Sequence, residues 1–121
     1  MTDGAWIAGF PAAITVCDKD GTILSMNPAA CESFAEEGGA SLIGSNLLAC
    51  HPEPARTKVE VLLKSGSRNV YTIEKEGRKK LIYQSPWYEN GEEAGFVEIS
   101  LPLPAILSHF VRDAKAGQEE P

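Results

Sequence analysis

The sequence predicts an α+β fold, with five strands in antiparallel hairpins and short helices between the second strand and the third. Three observations predict it. A hairpin signal over residues 14–26 runs directly into a helix start at Asn27-Pro28. Three strand-like runs, 69–75, 79–88 and 95–101, are separated by turns of a few residues. The chain between these two groups holds only short, interrupted helical segments. Strands joined by short turns pair as antiparallel neighbours.

Asp3 is placed to cap a short helix over residues 3–10, with Trp6, Ile7 and Phe10 on one side. Gly4 and Gly9 weaken that helix, so it needs a surface to lie on. Pro11 ends it. Ile14-Thr15-Val16-Cys17 and Thr22-Ile23-Leu24-Ser25-Met26 are rich in β-branched and apolar residues, which fit a pleated surface. Between them Gly21 can take positive φ, and Asp18 and Asp20 can bond the turn backbone. Asn27 caps the next helix, over 29–35, and Pro28 sits where a helix tolerates proline. Ala30, Cys31 and Phe34 should face inward.

Glu36-Glu37-Gly38-Gly39 is a stop. Residues 41–50 read as two helical turns broken at Gly44. His51-Pro52-Glu53-Pro54 is not regular helix, since proline disfavours helix at the residue before it. A helix over 55–64 follows, with Val59, Leu62 and Leu63 as its apolar face. Glu60 and Lys64 can pair across one turn, worth about 0.3 kcal/mol. Ser65-Gly66-Ser67 ends this helix.

The last three strands turn at Glu76-Gly77 and at Glu89-Asn90-Gly91-Glu92. Pro86 predicts a bulge or an edge late in the second of them. Pro102 and Pro104 close the sheet and open a final helix over 103–114. Leu103, Ile106, Leu107, Phe110 and Val111 make it the clearest amphipathic stripe in the chain.

With 121 residues the chain reads as one domain, 1–121, large enough for a core without staples. The net charge of −6 argues against nucleic acid or an anionic membrane as the main partner. Three cysteines, Cys17, Cys31 and Cys50, form no CxxC and no even set, so they read as reduced thiols. There is no apolar run of membrane-spanning length and no signal peptide. These features together predict a cytoplasmic module.

The stretches "AITVCDKDGTILSMNPAACESF", "LIGSNLL", "PEPAR" and "GFVEISL" resemble the PAS sensory-domain family, over about residues 8–101. The resemblance implies a single five-stranded antiparallel sheet, in the strand order 2-1-5-4-3 with the short helices on one face, and a small-molecule pocket between sheet and helices. It also implies signalling through helices at the two ends, toward an output domain or partner protein. Flavin-binding light sensors of the family carry a reactive cysteine after a Gly-x-Asn. Here Gly44-Ser45-Asn46 is followed by Leu47, so a covalent flavin adduct is not expected. Oxygen sensors have a motif similar to Pro52-Glu53-Pro54-Ala55-Arg56, followed by an iron-binding histidine. That position falls at about Val59, so conventional haem is not expected either. No cofactor is predicted.

Glu98 is the most informative residue. Alternation alone puts Val97, Ile99 and Leu101 in the core and Glu98 in water. The resemblance reverses this and turns Phe96, Glu98 and Ser100 toward the pocket. Strand 79–88 is then expected to point Leu81, Tyr83, Ser85 and Trp87 inward. An inward Glu98 sits in low dielectric, so a raised pKa or a bond to Tyr83, Ser85 or His51 is expected. The expected ligand site comprises Tyr83, Glu98, Ser100, Ser85, Thr72 and His51, under Leu48, Val59 and Leu63. The ordinary alternative is a solvated Glu98.

Trp6, Ile7, Phe10, Tyr71, Ile73 and Phe110 are expected on the outside, as the interface of a homodimer. The favoured function is a non-enzymatic sensory domain that binds a small molecule non-covalently and relays the signal through dimerisation. One alternative is a ligand-free interaction module, with side chains filling the interior. Another is a redox or metal sensor through Cys50 and His51, although His51 also reads as an ordinary loop histidine. The basic run Arg78-Lys79-Lys80 reads as a solvated turn.

Overall fold

The computed structural model of the chain describes residues 4–50 and 53–113. Its strands are β1 Ala13–Asp18, β2 Ile23–Met26, β3 Asn69–Lys75, β4 Arg78–Glu89 and β5 Glu92–Pro102. They form a five-stranded sheet in the order β2-β1-β5-β4-β3, with every pairing antiparallel. The helices are α1 Ala5–Gly9, α2 Pro28–Ser33 and α3 Ala55–Ser65, with 3-10 turns at Ala35–Glu37, Gly39–Leu42 and Leu47–Cys50. No helix among the described residues is long and apolar enough to cross a membrane.

The first hairpin is built as its residues dictate. Asp18 Oδ1 accepts from the backbone N–H of Asp20 and of Thr22, each at 2.9 Å, and Gly21 sits at φ 87°. Thr22 O accepts from Asp18 N at 2.9 Å, closing the turn, and Thr22 also bridges Asn46. Around it, Ile23 N donates to Ser45 O, Gly44 N to Ile23 O and Leu47 N to Gly21 O. The free edge of β2 is thereby sewn to the segment that carries Leu47. Asn27 caps α2, accepting from Ala30 N at 3.0 Å. Ile23, Met26 and Ala30 form the buried cluster, with Ala13, Cys31, Phe34, Leu42 and Leu47 packed on it.

The two later hairpins turn on two residues at positive φ each, Glu76-Gly77 and Asn90-Gly91. That geometry matches the right-handed twist of the strands they join. Beyond the second turn, Tyr88 pairs with Glu93 but Trp87 pairs with Gly95, so β5 carries one extra residue there. This bulge resets the register of the rest of β4, and Gln84 rather than Tyr83 stands opposite Glu98. β3 ends opposite Gln84, so at Pro86 the strand has an open edge where a missing N–H breaks no ladder.

The termini differ from expectation. The first helix spans Ala5–Gly9 rather than 3–10, with Gly4 at its start; Asp3 lies outside the described residues. Residues 103–113, expected as an amphipathic helix, are not helical. Ile106 is 86% and Phe110 73% exposed. A helix of this length is marginal in water without a surface to pack on. The stripe is present in the sequence, and among the described residues Ile106, Leu107, Phe110 and Val111 are left exposed.

Candidate functional site

One face of the sheet looks toward the helices. It carries Thr15 and Cys17 from β1, Phe96 and Glu98 from β5, and Gln84 from β4. Together with Leu47, Val59 and Leu62 from the helical side these residues line a cavity of ≈ 30 Å³. That is room for one or two waters. On the same face opens a hollow of ≈ 310 Å³, walled by Phe34 at the end of α2, Tyr71 and Ile73 on β3, Ile82 on β4 and Ser100 on β5. Thr15 and Glu98 border both spaces.

Strand pairing explains why polar groups meet here. Asn69 stands opposite Gln84, Gln84 opposite Glu98 and Glu98 opposite Thr15. Residues directly opposite share a face, so these four form a polar row across β3, β4, β5 and β1. Asn69 Nδ2 donates to Gln84 Oε1 at 2.9 Å, and Gln84 Nε2 donates to Glu98 Oε2 at 2.7 Å. Among the described residues Gln84 is the one hydrogen-bond partner of this half-buried carboxylate. Glu98 therefore turns to the inner face with Phe96 and Ser100, as the resemblance implied, and not to the outer face of the sheet.

The face expected for β4 is reversed. Leu81, Tyr83, Ser85 and Trp87 lie on the side away from Glu98, and so does Thr72 opposite Leu81. Tyr83 instead accepts from Arg68 Nη1 at 3.3 Å, Ser85 donates to Pro86 O, and Trp87 Nε1 reaches Cys17 O at 3.0 Å. Tyr71 and Ile73, expected on the outer interface, line the inner hollow. Ile82, Gln84 and Pro86 take the inward places. The one-residue bulge is the physical reason, since such a slip exchanges the two faces of a strand.

Among the helical residues, Val59 lines the small cavity as expected. Leu63 turns toward Gly21, whose added Cβ would meet its Cδ1 at 3.4 Å, and borders a separate hollow with Phe96. Leu48 is half-buried and lines neither inner space; its N–H donates to Asn46 Oδ1. His51 lies outside the described residues, and with it the Cys50–His51 pair. No group of three or more metal-ligating side chains occurs among the described residues. Gln84, Asn69 and Thr15 were not singled out from sequence. Counting back from the Glu76-Gly77 turn would have placed Tyr71 with Ile82 on one face and Asn69 with Gln84 on the same one.

Trp6 and Phe10 are exposed and stack edge to face at 5.9 Å, Ile7 is half-buried, and Phe110 is open to solvent.

Burial, and after it the charge of Glu98, push the Tyr71 phenol up. Burial also pushes the Cys17 thiol up, against a hydrogen bond from the Phe96 backbone and with the charges of Asp18 and Glu98 adding. Both groups hold their proton more tightly folded than unfolded. Their contribution to stability is full below the unfolded values, about 8.5 and 10, and is lost as pH rises through the folded ones. The unfolding free energy is therefore expected to fall above about pH 9. Glu98→Gln should move the Tyr71 titration down without returning it to the free value, because burial is the larger cause. Phenol absorbance against pH checks this; an unmoved Tyr71 would separate the two groups.

Comparison with known proteins agrees with this architecture. A family model described as "PAS fold" matches residues 8–103. Among solved structures, the chain is similar to a C-terminal domain from Streptococcus mutans, at 21% identity and a TM-score of 0.67, covering 79% of this chain and 78% of that one. It is similar to the PAS domain of Bordetella pertussis BvgS, at 25% identity and 0.60, with 81% of each chain covered. It is also similar to a Vibrio cholerae receptor described as a dual PAS-heme oxygen sensor, at 18% identity and 0.56, covering 81% of this chain and 99% of that one. No curated protein matches the chain. Sheet order, short helices stacked on one face and a match over 8–103 lead to one conclusion: the chain belongs to the PAS-fold family.

Proposed function

We propose that the chain is a sensory, non-catalytic domain that takes a small molecule, non-covalently, into the hollow on its inner face. One observation carries this above all: a half-buried carboxylate, held by an ordered amide pair, at the border of a ≈ 310 Å³ space with aromatic walls. Small-molecule sites combine that size with a few placed polar groups in an apolar lining. A structural core would gain nothing from Glu98 there and would bear its desolvation.

A ligand seated against Glu98 and Tyr71 presses on β5, β4 and β3 together. The opposite face of the same strands carries Val97, Ile99, Leu101 and Leu81, none of them fully buried. Movement of the strands therefore alters the surface available to Trp6, Phe10 and the segment bearing Phe110, which we place at a homodimer interface or against an output partner. The ligand biases this pairing only by its differential affinity for the two arrangements. Flavin and haem bound in the ways named above are not part of the proposal. Leu47 and Val59, at the positions concerned, offer neither thiol nor imidazole and close a space of ≈ 30 Å³.

Native mass spectrometry of freshly purified protein tests the proposal. A bound mass of a few hundred daltons is expected, lost in Tyr71→Arg, which fills the hollow. A protein of bare mass whose inner-face signals no metabolite fraction moves would overturn it. The second reading, a ligand-free dimerisation module, is favoured by the small volume left between sheet and helices at Leu47 and Val59 and by the exposure of Trp6, Ile106 and Phe110. A dimer that forms without ligand and is abolished by Trp6→Ser with Phe10→Ser would support it.

A further inference from the structure

The geometry points to a small organic ammonium ion as the ligand class of the inner hollow, with Glu98 as its counter-ion and Tyr71 and Phe34 flanking its body. This rests on the small-molecule role proposed above and adds the chemistry of the molecule.

The floor of the hollow is polarised in one direction. Asn69 donates to Gln84, and Gln84 donates to Glu98, so each N–H in the row points toward the carboxylate. Gln84 cannot turn its oxygen to a ligand without losing both bonds. The run of donated bonds therefore ends in an acceptor, Glu98, with Oε2 engaged and Oε1 without a partner among the described residues. The side chain is half-buried, and it borders the small cavity and the large hollow at once.

Three ligand classes can be ranked on this floor. An anion meets the like charge of Glu98 inside a chain of net charge −6. A neutral apolar molecule removes water from Glu98 and returns nothing to it, which is costly for a carboxylate. A protonated amine supplies the missing donor as a charge-assisted bond, stronger than a neutral one. The hydroxyls of Thr15 and Ser100, on the same hollow, can accept its remaining protons.

The walls fit the same class. Tyr71 and Phe34 face the hollow, and aromatic faces attract cations. The raised Tyr71 phenol, in part from the Glu98 charge, places the ring within electrostatic reach of that carboxylate. Lys80 is the other charged group lining the hollow. It lies four residues along β4 from Gln84, about 13 Å away along the strand. The end of the molecule distant from Glu98 is thus suited to carry an acceptor, and a second positive charge there is disfavoured.

Three molecules of one shape separate the classes: tyramine, a cation; tyrosol, its neutral alcohol; and 4-hydroxyphenylacetate, its anion. Titration of the intact chain with each, followed by NMR of the Tyr71, Gln84 and Glu98 signals, is the experiment. Tyramine is expected to bind about tenfold or more tighter than tyrosol, with 4-hydroxyphenylacetate weakest. Glu98→Gln, nearly isosteric and able to keep the Gln84 bond, should bring the three within about threefold of one another. Tyr71→Leu should weaken tyramine more than tyrosol.

If tyrosol or 4-hydroxyphenylacetate binds the same signals as tightly as tyramine, the ammonium assignment falls and the small-molecule role stands. If the preference for tyramine survives Glu98→Gln, it comes from the overall negative field and the counter-ion role falls. If none of the three moves the inner-face signals while purified protein carries a bound mass, the ammonium assignment again falls alone. If none does and the protein is bare, both fall.

Discussion

Gly95→Ala is expected to be the most damaging small substitution in this domain, costing about 3 kcal/mol or more. A methyl group at that position would stand 2.0 Å from the Cys17 carbonyl oxygen, 2.8 Å from Asp18 Cα and 2.8 Å from Trp87 Nε1. Two of those atoms are backbone of the neighbouring strand. The third belongs to an indole whose N–H is bonded to that same Cys17 carbonyl at 3.0 Å. None can yield without opening the β1–β5 ladder or releasing the Trp87 tie between β4 and β1. Urea unfolding should show the loss, with a melting temperature lower by roughly 10 °C or more. Gly9→Ala is the matched control: nothing lies within 4 Å of a Cβ there, so stability should stay within about 1 kcal/mol of the parent. A Gly95→Ala protein as stable as the parent would remove the bulge, and with it the pairing of Gln84 with Glu98.

That bulge also marks where sequence reasoning stopped. The strands and turns were legible because each has a local cause: β-branched runs, paired positive-φ turn residues, and an Asn-Pro helix start. The five strands followed from them; their union in one sheet, and its order, came from the family resemblance. The facing of β4 was not legible. Leu81, Tyr83 and Trp87 on one side and Ile82, Pro86 and Tyr88 on the other make both faces equally apolar, so alternation had no preference to report. A plain two-residue hairpin at Asn90-Gly91 would have set Tyr83 opposite Glu98. One extra residue in β5, beside a glycine that admits the Trp87 ring, set Gln84 there instead. The chemistry of the candidate site thus depends on a backbone irregularity whose sequence traces are Gly95 and Pro86, neither of which says which strand carries the extra residue.

The segment 103–113 failed for a different reason. Its stripe of Leu103, Ile106, Leu107, Phe110 and Val111 has helical spacing, and spacing reports what a segment can bury, not whether a surface exists to bury it. Among the described residues Ile106, Leu107, Phe110 and Val111 stay exposed. Glu98 shows the opposite case. Local alternation put it in water, and only the family comparison turned it inward, because both faces of β5 carry apolar residues.

Asn27 is where the sequence showed half of a device and the structure shows the rest. The cap on α2 was readable from Asn27-Pro28. The side chain does more. It is 4% exposed, its Oδ1 accepts from Ile14 N at 2.9 Å as well as from Ala30 N, and its Nδ2 donates to Ala12 O at 2.8 Å and Ile7 O at 3.0 Å. One amide thus ties the helix start, the first strand and the end of α1 together. Asn27→Ala leaves buried N–H groups on Ile14 and Ala30 unpaired, and should cost about 3 kcal/mol. Asn27→Asp separates the two functions. A carboxylate keeps the acceptors for Ile14 and Ala30 but turns an oxygen toward the carbonyls of Ile7 and Ala12, which repel it. The core should hold while α1 loses its anchor, seen as faster amide exchange over residues 5–10 and greater solvent quenching of Trp6. Lowering the pH should restore protection there, because the protonated carboxyl regains a donor. If α1 stays protected in Asn27→Asp at neutral pH, its hold on the sheet lies elsewhere. In that case Asn27 is a helix cap and nothing more.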